Sequence, residues 1–172
     1  MVTHLFNAMS QIGNREPGLA GASLAIGGLS AGLIADGIHV NAETICIAMR
    51  AKRGPGKIFL VTDAMATLGT NLTEFMLNGR TIKRANGRLT LLDGTLAGAD
   101  LDMISAVRFM HRVVGLDLEE ALRMASLYPA RVAGVEAEHG HLGSGARANF
   151  LHLDENLEIH SVWIGGDLTF SH

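Results

Sequence analysis

Apolar residues divide the chain into short buried strands separated by helices. The residues at 58–62 are all apolar or β-branched, which predicts a strand covered on both faces, as in parallel sheets. We predict further strands at residues 1–8 and 33–35, and a helix at 42–52 that Asn41 or a neighbouring residue caps. Strand, helix and strand form a βαβ unit, so the sequence predicts an α/β fold with a parallel sheet.

The pattern changes after residue 63 to short stretches in which apolar and polar residues alternate. Asn78-Gly79 and Asn86-Gly87 separate these stretches, and Asn-Gly pairs are strong hairpin signals. We therefore predict an antiparallel excursion at residues 73–92. Residues 94–98 then return the chain to a helix, whose inward stripe is formed by Leu101, Ile104, Val107 and Met110.

The last third of the sequence predicts a further helix and then more strands. The helix covers residues 118–126, with Asp117 and Glu120 as a capping box and Pro129 as the point where it ends or restarts. Strands are predicted at 149–153 and 159–164, followed by a short last piece.

Composition narrows the class of protein. The chain has 172 residues, of which 48% are apolar, so it has enough material for one sizeable core and is globular. A net charge of −3 without basic clusters argues against a nucleic-acid surface. Cys46 is the single cysteine, so no internal disulfide forms. Without a signal-peptide pattern or a clean membrane span, we expect a cytoplasmic protein with no membrane partner.

Polar side chains follow three of the predicted strands at their carboxyl ends. His4 and Asn7 end the first, Asp36 and His39 follow the second, and Asp63 ends the third. Carboxyl ends of parallel strands carry the catalytic groups of α/β barrels. Each histidine alone is as well explained by a structural hydrogen bond, but their joint occurrence with an aspartate favours chemistry.

Three other features have competing interpretations. Arg15 lies in a Pro/Gly loop beyond a strand end, where it is either an ordinary solvated arginine or a ligand for a phosphate or carboxylate. Gly27-Gly28 lacks the spacing of a phosphate loop, so close packing is favoured there. His139 and His141 form a zinc-type pair without a third ligand nearby, which favours a solvated turn.

At these residues the sequence resembles the N-acetylglucosamine-6-phosphate deacetylase family of the amidohydrolase superfamily. The resemblance is collinear and spans essentially the whole chain. The matching motifs are Thr-His-Leu-Phe-Asn-Ala-Met at 3–9, Arg-Glu-Pro-Gly-Leu-Ala-Gly-Ala at 15–22, Ile-Ala-Asp-Gly-Ile-His at 34–39, Leu-Val-Thr-Asp-Ala-Met-Ala at 60–66, Gly-Thr-Leu-Ala-Gly at 94–98 and Arg-Met-Ala-Ser-Leu-Tyr-Pro-Ala-Arg at 123–131.

The resemblance implies a fold and a reaction. The fold is the C-terminal portion of a metal-dependent TIM (β/α)8 barrel, about strands 6–8, at residues 1–134. Strands of a small β-sandwich domain follow at 135–172. The reaction is hydrolysis of the acetamide of N-acetylglucosamine 6-phosphate to glucosamine 6-phosphate and acetate.

The resemblance also assigns roles to individual residues. Asp63 resembles the catalytic acid/base, and His4 resembles a ligand of a divalent metal, with zinc expected first and iron or another divalent metal as alternatives. The residues that resemble substrate contacts are Asn7, Ala8, Arg15, Asp36, Gly37, Ile38, His39 and, in a loop closing over the sugar, Leu96, Ala97 and Gly98.

The sequence alone leaves alternative functions open. The family's further metal ligands, a glutamate and another histidine, come from earlier barrel strands that this chain does not match. The chain is therefore expected to associate, either with itself or with a complementing N-terminal half. The alternatives are another amidohydrolase, such as a cyclic amidase or deaminase, and a non-catalytic sugar-phosphate-binding or scaffold protein.

Overall fold

Five helices and nine strands make up the computed structural model, which describes all of residues 1–172. Their order is mixed α/β, as the sequence predicts. The helices are α1 (Gly18–Ala25), α2 (Ala42–Ala51), α3 (Met103–Arg112), α4 (Leu118–Ala125) and α5 (Leu127–Ala133); the strands are β1 (Ala31–Leu33), β2 (Ile58–Leu60), β3 (Glu74–Leu77), β4 (Arg80–Ala85), β5 (Arg88–Thr90), β6 (Leu96–Ala99), β7 (Phe150–Leu153), β8 (Ile159–Ile164) and β9 (Asp167–Ser171).

Two short parallel strands form the centre of the fold. β1 and β2 pair in register, with Leu33 opposite Leu60, and every residue of both strands is buried. The apolar run at 58–62 is therefore a strand covered on both faces, although it ends at residue 60. Gly32 is required in β1, because a Cβ there would lie 2.9 Å from a methyl group of Val61.

Isolated parallel bridges extend this sheet by one segment on each side. Val2 pairs with Ala31 before β1, and Ala64 pairs with Ala99 after β2. Four parallel segments thus follow one another in chain order. Helices α2, α3, α4 and α5 supply the other side of the same core, through residues such as Ile45, Met110 and Met124.

The predicted first strand is wrong beyond Val2. His4, Phe6 and Ala8 all have positive φ, at 33°, 75° and 49°, and a strand cannot continue through such residues. The N–H of Leu5 still donates to the carbonyl of Gly32 (2.7 Å), so the segment enters the sheet and then turns sharply.

The antiparallel excursion is confirmed and is longer than predicted. Strands β3, β4, β5 and β6 form one sheet in that order. Both Asn-Gly pairs, 78–79 and 86–87, have positive φ at each residue, as two-residue hairpin turns of type I′ require. The sequence predicts that residues 94–98 return the chain directly to a helix, but residues 96–99 form β6, because β5 pairs with them through a register shift.

Helix ends follow the prediction in one place and depart from it in another. The side chain of Asn41 accepts from the N–H of Glu43 (2.9 Å) and caps α2. The predicted capping box at Asp117 and Glu120 is wrong, because Asp117 makes no side-chain capping bond. Pro129 lies in the first turn of α5. Proline has no backbone N–H, and it is tolerated there because N–H groups in the first turn have no partner within the helix.

The tail forms a separate three-stranded antiparallel sheet in the order β7, β8, β9. Both predicted tail strands are present, and the short last piece is β9. Phe150 and Trp163 stack across β7 and β8, with ring centroids 4.7 Å apart. None of the helices combines the length and apolar character that a membrane crossing demands.

A polar network ties α4 to α5 near the start of β2. Glu120 accepts from the hydroxyl of Tyr128 (2.7 Å) and from Nε of Arg123 (2.8 Å). Burial by itself would raise the pKa of Glu120, but these two hydrogen bonds outweigh it and hold the pKa below its usual value. Glu120 lies in the first turn of α4, and it bonds to Tyr128 of α5 and to Arg123 instead of completing a capping box.

We predict that Tyr128→Phe lowers the free energy of unfolding by about 1.5 kcal/mol at neutral pH, since it deletes a hydrogen bond to a charged, partly exposed group. The folded pKa of Glu120 is depressed, so its contribution is complete above the unfolded pKa of about 4.3 and is lost as pH falls through the folded pKa. Urea unfolding from pH 7 down to pH ~3 measures this. The difference between wild type and variant should shrink below about pH 4.3, and in a Glu120→Gln background it should not change with pH. A pH-independent difference in the wild-type background would contradict the assignment.

Candidate active site

The carboxyl ends of the parallel segments meet at one edge of the fold. Asp36 and Asp63 each follow the paired residues Leu33 and Leu60 by three positions. The turn that contains His4 leaves the sheet at the same edge, since Val2 runs parallel to Ala31. The topology therefore brings together the three polar groups that the sequence singles out at strand ends.

The first of these groups lies in a strained turn. Nδ1 of His4 donates to the carbonyl of Asn7 (2.9 Å), which fixes the tautomer and leaves Nε2 unused by the fold. The amide of Asn7 in turn donates to the carbonyl of Leu5 (3.2 Å). Gln11 closes the turn from outside by donating to the carbonyls of Phe6 and Met9.

The second group is a buried pair. Nδ1 of His39 donates to Oδ2 of Asp36 at 2.6 Å, and the two side chains are only 6% and 8% exposed. The other carboxylate oxygen accepts from the N–H groups of Ile38 and His39, both at 2.8 Å. The carboxylate thus holds the imidazole in one tautomer and one orientation, with Nε2 as the free atom.

The pKa of Asp36 follows from these contacts. Burial alone would raise it, but the hydrogen bonds from the side chain and backbone of His39 and from the N–H of Ile38 outweigh burial. The pKa therefore lies below its usual value, and Asp36 is a carboxylate at neutral pH. Gly37 permits this tight loop, because it has φ +73° and a Cβ would meet the ring of Phe109 at 2.8 Å.

Asp63 is the third group. It is exposed and adopts φ +52°, a left-handed conformation that costs a non-glycine residue about 1–2 kcal/mol. The fold uses its carbonyl, which accepts from the N–H of Ala99 (2.8 Å). A strained, exposed carboxylate at a strand end has no packing role, so the position is a candidate for function.

Arg15 lies in the loop between the His4 turn and α1 and is exposed. Ser10 anchors the loop, with its hydroxyl accepting from the N–H of Leu19 (2.7 Å). Gly18 closes it at φ +61°, where a Cβ would collide with the carbonyl oxygens of Ser10 and Gln11. Both interpretations of Arg15 remain consistent with this position.

Gly27 shows the close packing that the sequence favours over a phosphate loop. A Cβ there would lie 2.3 Å from the carbonyl oxygen of Gly54. The N–H of Gly56 donates to the carbonyl of Gly27 at 2.7 Å. The two backbone segments are in direct contact at this point.

The expected loop at Leu96, Ala97 and Gly98 belongs to β6, so its description as a loop is wrong. Leu96 and Ala97 line a cavity of about 500 Å³ on the antiparallel sheet, together with residues of β3 and β4. Gly98 has φ +80° and packs on Met65, next to Asp63. The strand thus connects this cavity to the edge that carries Asp63.

The side chains of this chain do not by themselves fit a metal centre. No group of three or more His, Cys, Asp or Glu side chains lies close enough together to hold a metal ion. A zinc site takes three or four protein ligands, and His4 offers one. The hydrogen bond from its Nδ1 to a carbonyl is nevertheless the usual way to orient a ligating histidine.

The sequence did not reveal an ion pair beside Asp63. Arg84 of β4 and Asp100, just after β6, are joined at 2.7 Å, with Asp100 only 9% exposed. An arginine in an alternating hairpin is typically solvated, so its inward position carries no local signal. Asp100 comes next to the hairpin only through the pairing of β6 with β5, which is non-local in the sequence.

Known proteins of similar sequence and structure extend these findings. An N-acetylgalactosamine-6-phosphate deacetylase from Shewanella sp. (strain ANA-3) is 39% identical over 171 residues, which are 98% of this chain and 42% of that protein. A relative from Escherichia coli (strain K12) is 38% identical over 96% of this chain and 98% of its own length. The crystal structure of N-acetylglucosamine-6-phosphate deacetylase from Pasteurella multocida matches with a TM-score of 0.92 and 34% identity, covering 97% of this chain and 44% of that chain.

The chain therefore spans less than half the length of the Shewanella and Pasteurella proteins. The model of the amidohydrolase family matches residues 2–169, almost from end to end, and the protein belongs to that family.

Proposed function

We propose that this chain carries the acid/base and phosphate-binding part of a deacetylase that acts on 2-acetamido sugar 6-phosphates. The proposal is carried by the position of Asp63, which is exposed, has a strained backbone and lies at the same edge as His4 and the Asp36–His39 pair. The names of the Shewanella and Pasteurella relatives give the reaction and the substrate class. The substrate of this chain would be an N-acetylhexosamine 6-phosphate.

The fold supports a specific place for the chain in such an enzyme. Residues 1–134 would form about strands 6–8 of a TIM barrel, with the segment at Val2, β1 and β2 as the three parallel strands. Residues 135–172 would supply strands of a small β-sandwich, which β7, β8 and β9 suit. Catalytic groups of barrels lie at the carboxyl ends of strands, where Asp36 and Asp63 are.

Asp63 would act as the proton carrier of the reaction. Water is a poor nucleophile at neutral pH, so its proton has to leave as it attacks the acetyl carbon. The carboxylate accepts that proton and then gives it to the amide nitrogen as the C–N bond breaks. The products are acetate and the free amino sugar phosphate, and Asp63 returns to its ionised form.

The remaining residues would hold the sugar phosphate. Arg15, with Asn7 and Ala8, would bind the phosphate, and His39 would donate or accept at the sugar through Nε2. Asp36, Gly37 and Ile38 shape that loop, and Leu96, Ala97 and Gly98 would contact the ring from β6. Binding energy at these positions, remote from the amide, serves to place it against Asp63.

The metal centre expected in this family would be completed from outside these residues. His4 would supply one ligand of a divalent ion, zinc first, and the others would come from a complementing segment or from a second copy of the chain. A second copy would most simply form a two-fold dimer. One ligand alone does not fix the position of such an ion.

The identity of the sugar has two candidates. The Shewanella relative is named for the galactosamine compound and the Pasteurella structure for the glucosamine compound. These two sugars differ only in configuration at C4. We place N-acetylglucosamine 6-phosphate first, and parallel assays with both sugars distinguish them.

A non-catalytic sugar-phosphate-binding protein is the competing function. It is favoured by one observation, the lack of a group of three metal-ligating side chains. A joined enzyme separates the two functions. It consists of residues 1–172 fused behind the part of the Shewanella relative that has no counterpart in this chain, and it is assayed for acetate release.

We predict that Asp63→Asn in the joined enzyme lowers kcat by at least about a hundredfold, since general acid/base catalysis contributes that much. The KM should stay near the wild-type value, because Asp63 touches the reacting atoms and not the phosphate. Glu43→Gln, an exposed carboxylate on α2, is the matched control and should leave kcat unchanged. An Asp63→Asn enzyme that retains more than about a tenth of kcat would exclude Asp63 as the proton carrier.

We predict that Arg15→Ala raises KM for the phosphorylated sugar by about thirtyfold or more, since a charge-assisted contact is worth about 2–3 kcal/mol. The same change should leave the much weaker reaction with the unphosphorylated sugar unaltered. Arg50→Ala, an exposed arginine in the last turn of α2, is the control. Equal effects of Arg15→Ala on both sugars would leave Arg15 as an ordinary solvated arginine.

A further inference from the structure

Arg84 joins the antiparallel sheet to the loop that follows Asp63. Its Nε donates to Oδ2 of Asp100 (2.7 Å). Its Nη1 donates to the carbonyls of Thr70 (2.7 Å) and Thr67 (3.3 Å). One guanidinium thus connects the end of β6 to the turn at residues 65–70.

Asp63 lies between the two points that Arg84 connects. Its carbonyl accepts from the N–H of Ala99, directly before Asp100. On the other side, the turn begins at Met65, whose carbonyl accepts from the N–H of Leu68. Movement of either segment would change the backbone of Asp63, which is already held at φ +52°.

The surroundings make Arg84 difficult to replace. Oδ1 of Asp100 and Oγ1 of Thr67 are buried without a hydrogen-bond partner. The side chain of Asp100 is 9% exposed and that of Arg84 is 30% exposed. The charge of the buried Asp100 carboxylate is therefore compensated by its ion pair with Arg84. Loss of the guanidinium would leave a buried, uncompensated carboxylate beside the turn.

We propose that Arg84 is a positioning residue, which acts through Asp100 and the turn at 65–70 to hold the Asp63 carboxylate in place for the reaction. This inference rests on the proposed role of Asp63 as the proton carrier. It gives the antiparallel excursion a function, because the sheet would hold Asp63 in the geometry that the chemistry needs. Arg84 itself touches neither the substrate nor the reacting atoms in this assignment.

Amide hydrogen exchange of the 172-residue chain tests the positioning without any activity. Arg84→Gln should accelerate exchange about tenfold at the amides of Ala99, Leu68 and Thr70, since local opening raises exchange where the loop is released. The amide of Val61, which donates to Leu33 in the central sheet, reports the core and should change less than about twofold. Lys83→Gln, an exposed cation next to Arg84 on β4, is the control and should change none of them.

Arg84→Lys provides a second variant that keeps the charge. A lysine can pair with Asp100, but it lacks the fork that reaches the carbonyls of Thr67 and Thr70 as well. Leu68 and Thr70 should therefore exchange faster than in wild type while the unfolding midpoint stays close to it. The proposal would be overturned if exchange at Leu68 and Thr70 were unchanged in Arg84→Lys. It would also be overturned if Arg84→Gln accelerated exchange equally at Val61 and Ala99, because Arg84 would then contribute only to general stability.

The joined enzyme supplies the catalytic readout. Arg84→Lys should lower kcat about tenfold and leave KM within about twofold, because misplacement affects the proton carrier and not the phosphate contacts. An unchanged kcat would overturn the positioning role even if exchange increases. A wild-type joined enzyme that binds the sugar phosphate but releases no acetate would instead refute the proposed function, and the exchange experiment would still decide whether Arg84 holds the loop.

Discussion

The parallel register between β1 and β2 is the constraint on which the candidate site depends. Leu33 opposite Leu60 fixes the positions at which both strands end, so Asp36 and Asp63 leave the sheet at the same level. The bridge between Val2 and Ala31 brings the His4 turn to that level too. A shift of one residue between these segments would separate the polar groups and turn buried side chains toward the opposite face.

Backbone strain is concentrated at this edge. His4, Phe6, Ala8 and Asp63 all adopt positive φ without being glycine. Such conformations persist only where surrounding contacts over-determine them. Here the contacts are backbone hydrogen bonds, from Leu5 to Gly32 and from Ala99 to Asp63, and the fold uses them to present side chains. The strained positions away from this edge are chiefly hairpin asparagines, which tolerate the left-handed region.

Local signals in the sequence explain which parts could be predicted. The apolar run of β2, the Asn41 cap and both Asn-Gly turns depend on neighbouring residues alone, and all three predictions are confirmed. The first strand was overestimated because apolar residues at 5 and 6 do not reveal positive φ. Strand β6 was missed because its pairing with β5 is non-local and irregular. The ion pair between Arg84 and Asp100 depends on that same pairing, so it was missed as well.

Binding of a sugar phosphate at this edge is tested most directly by titrating the isotope-labelled 172-residue chain with N-acetylglucosamine 6-phosphate and following its amide resonances. We predict saturable shifts at Ala8, Arg15, His39 and Asp63, which lie in separate parts of the sequence and which the proposed function brings to one edge. N-acetylglucosamine without the phosphate should leave Ala8 and Arg15 unshifted. Shifts centred on the sheet of β7, β8 and β9, or shifts that the two sugars produce equally at Arg15, would contradict it.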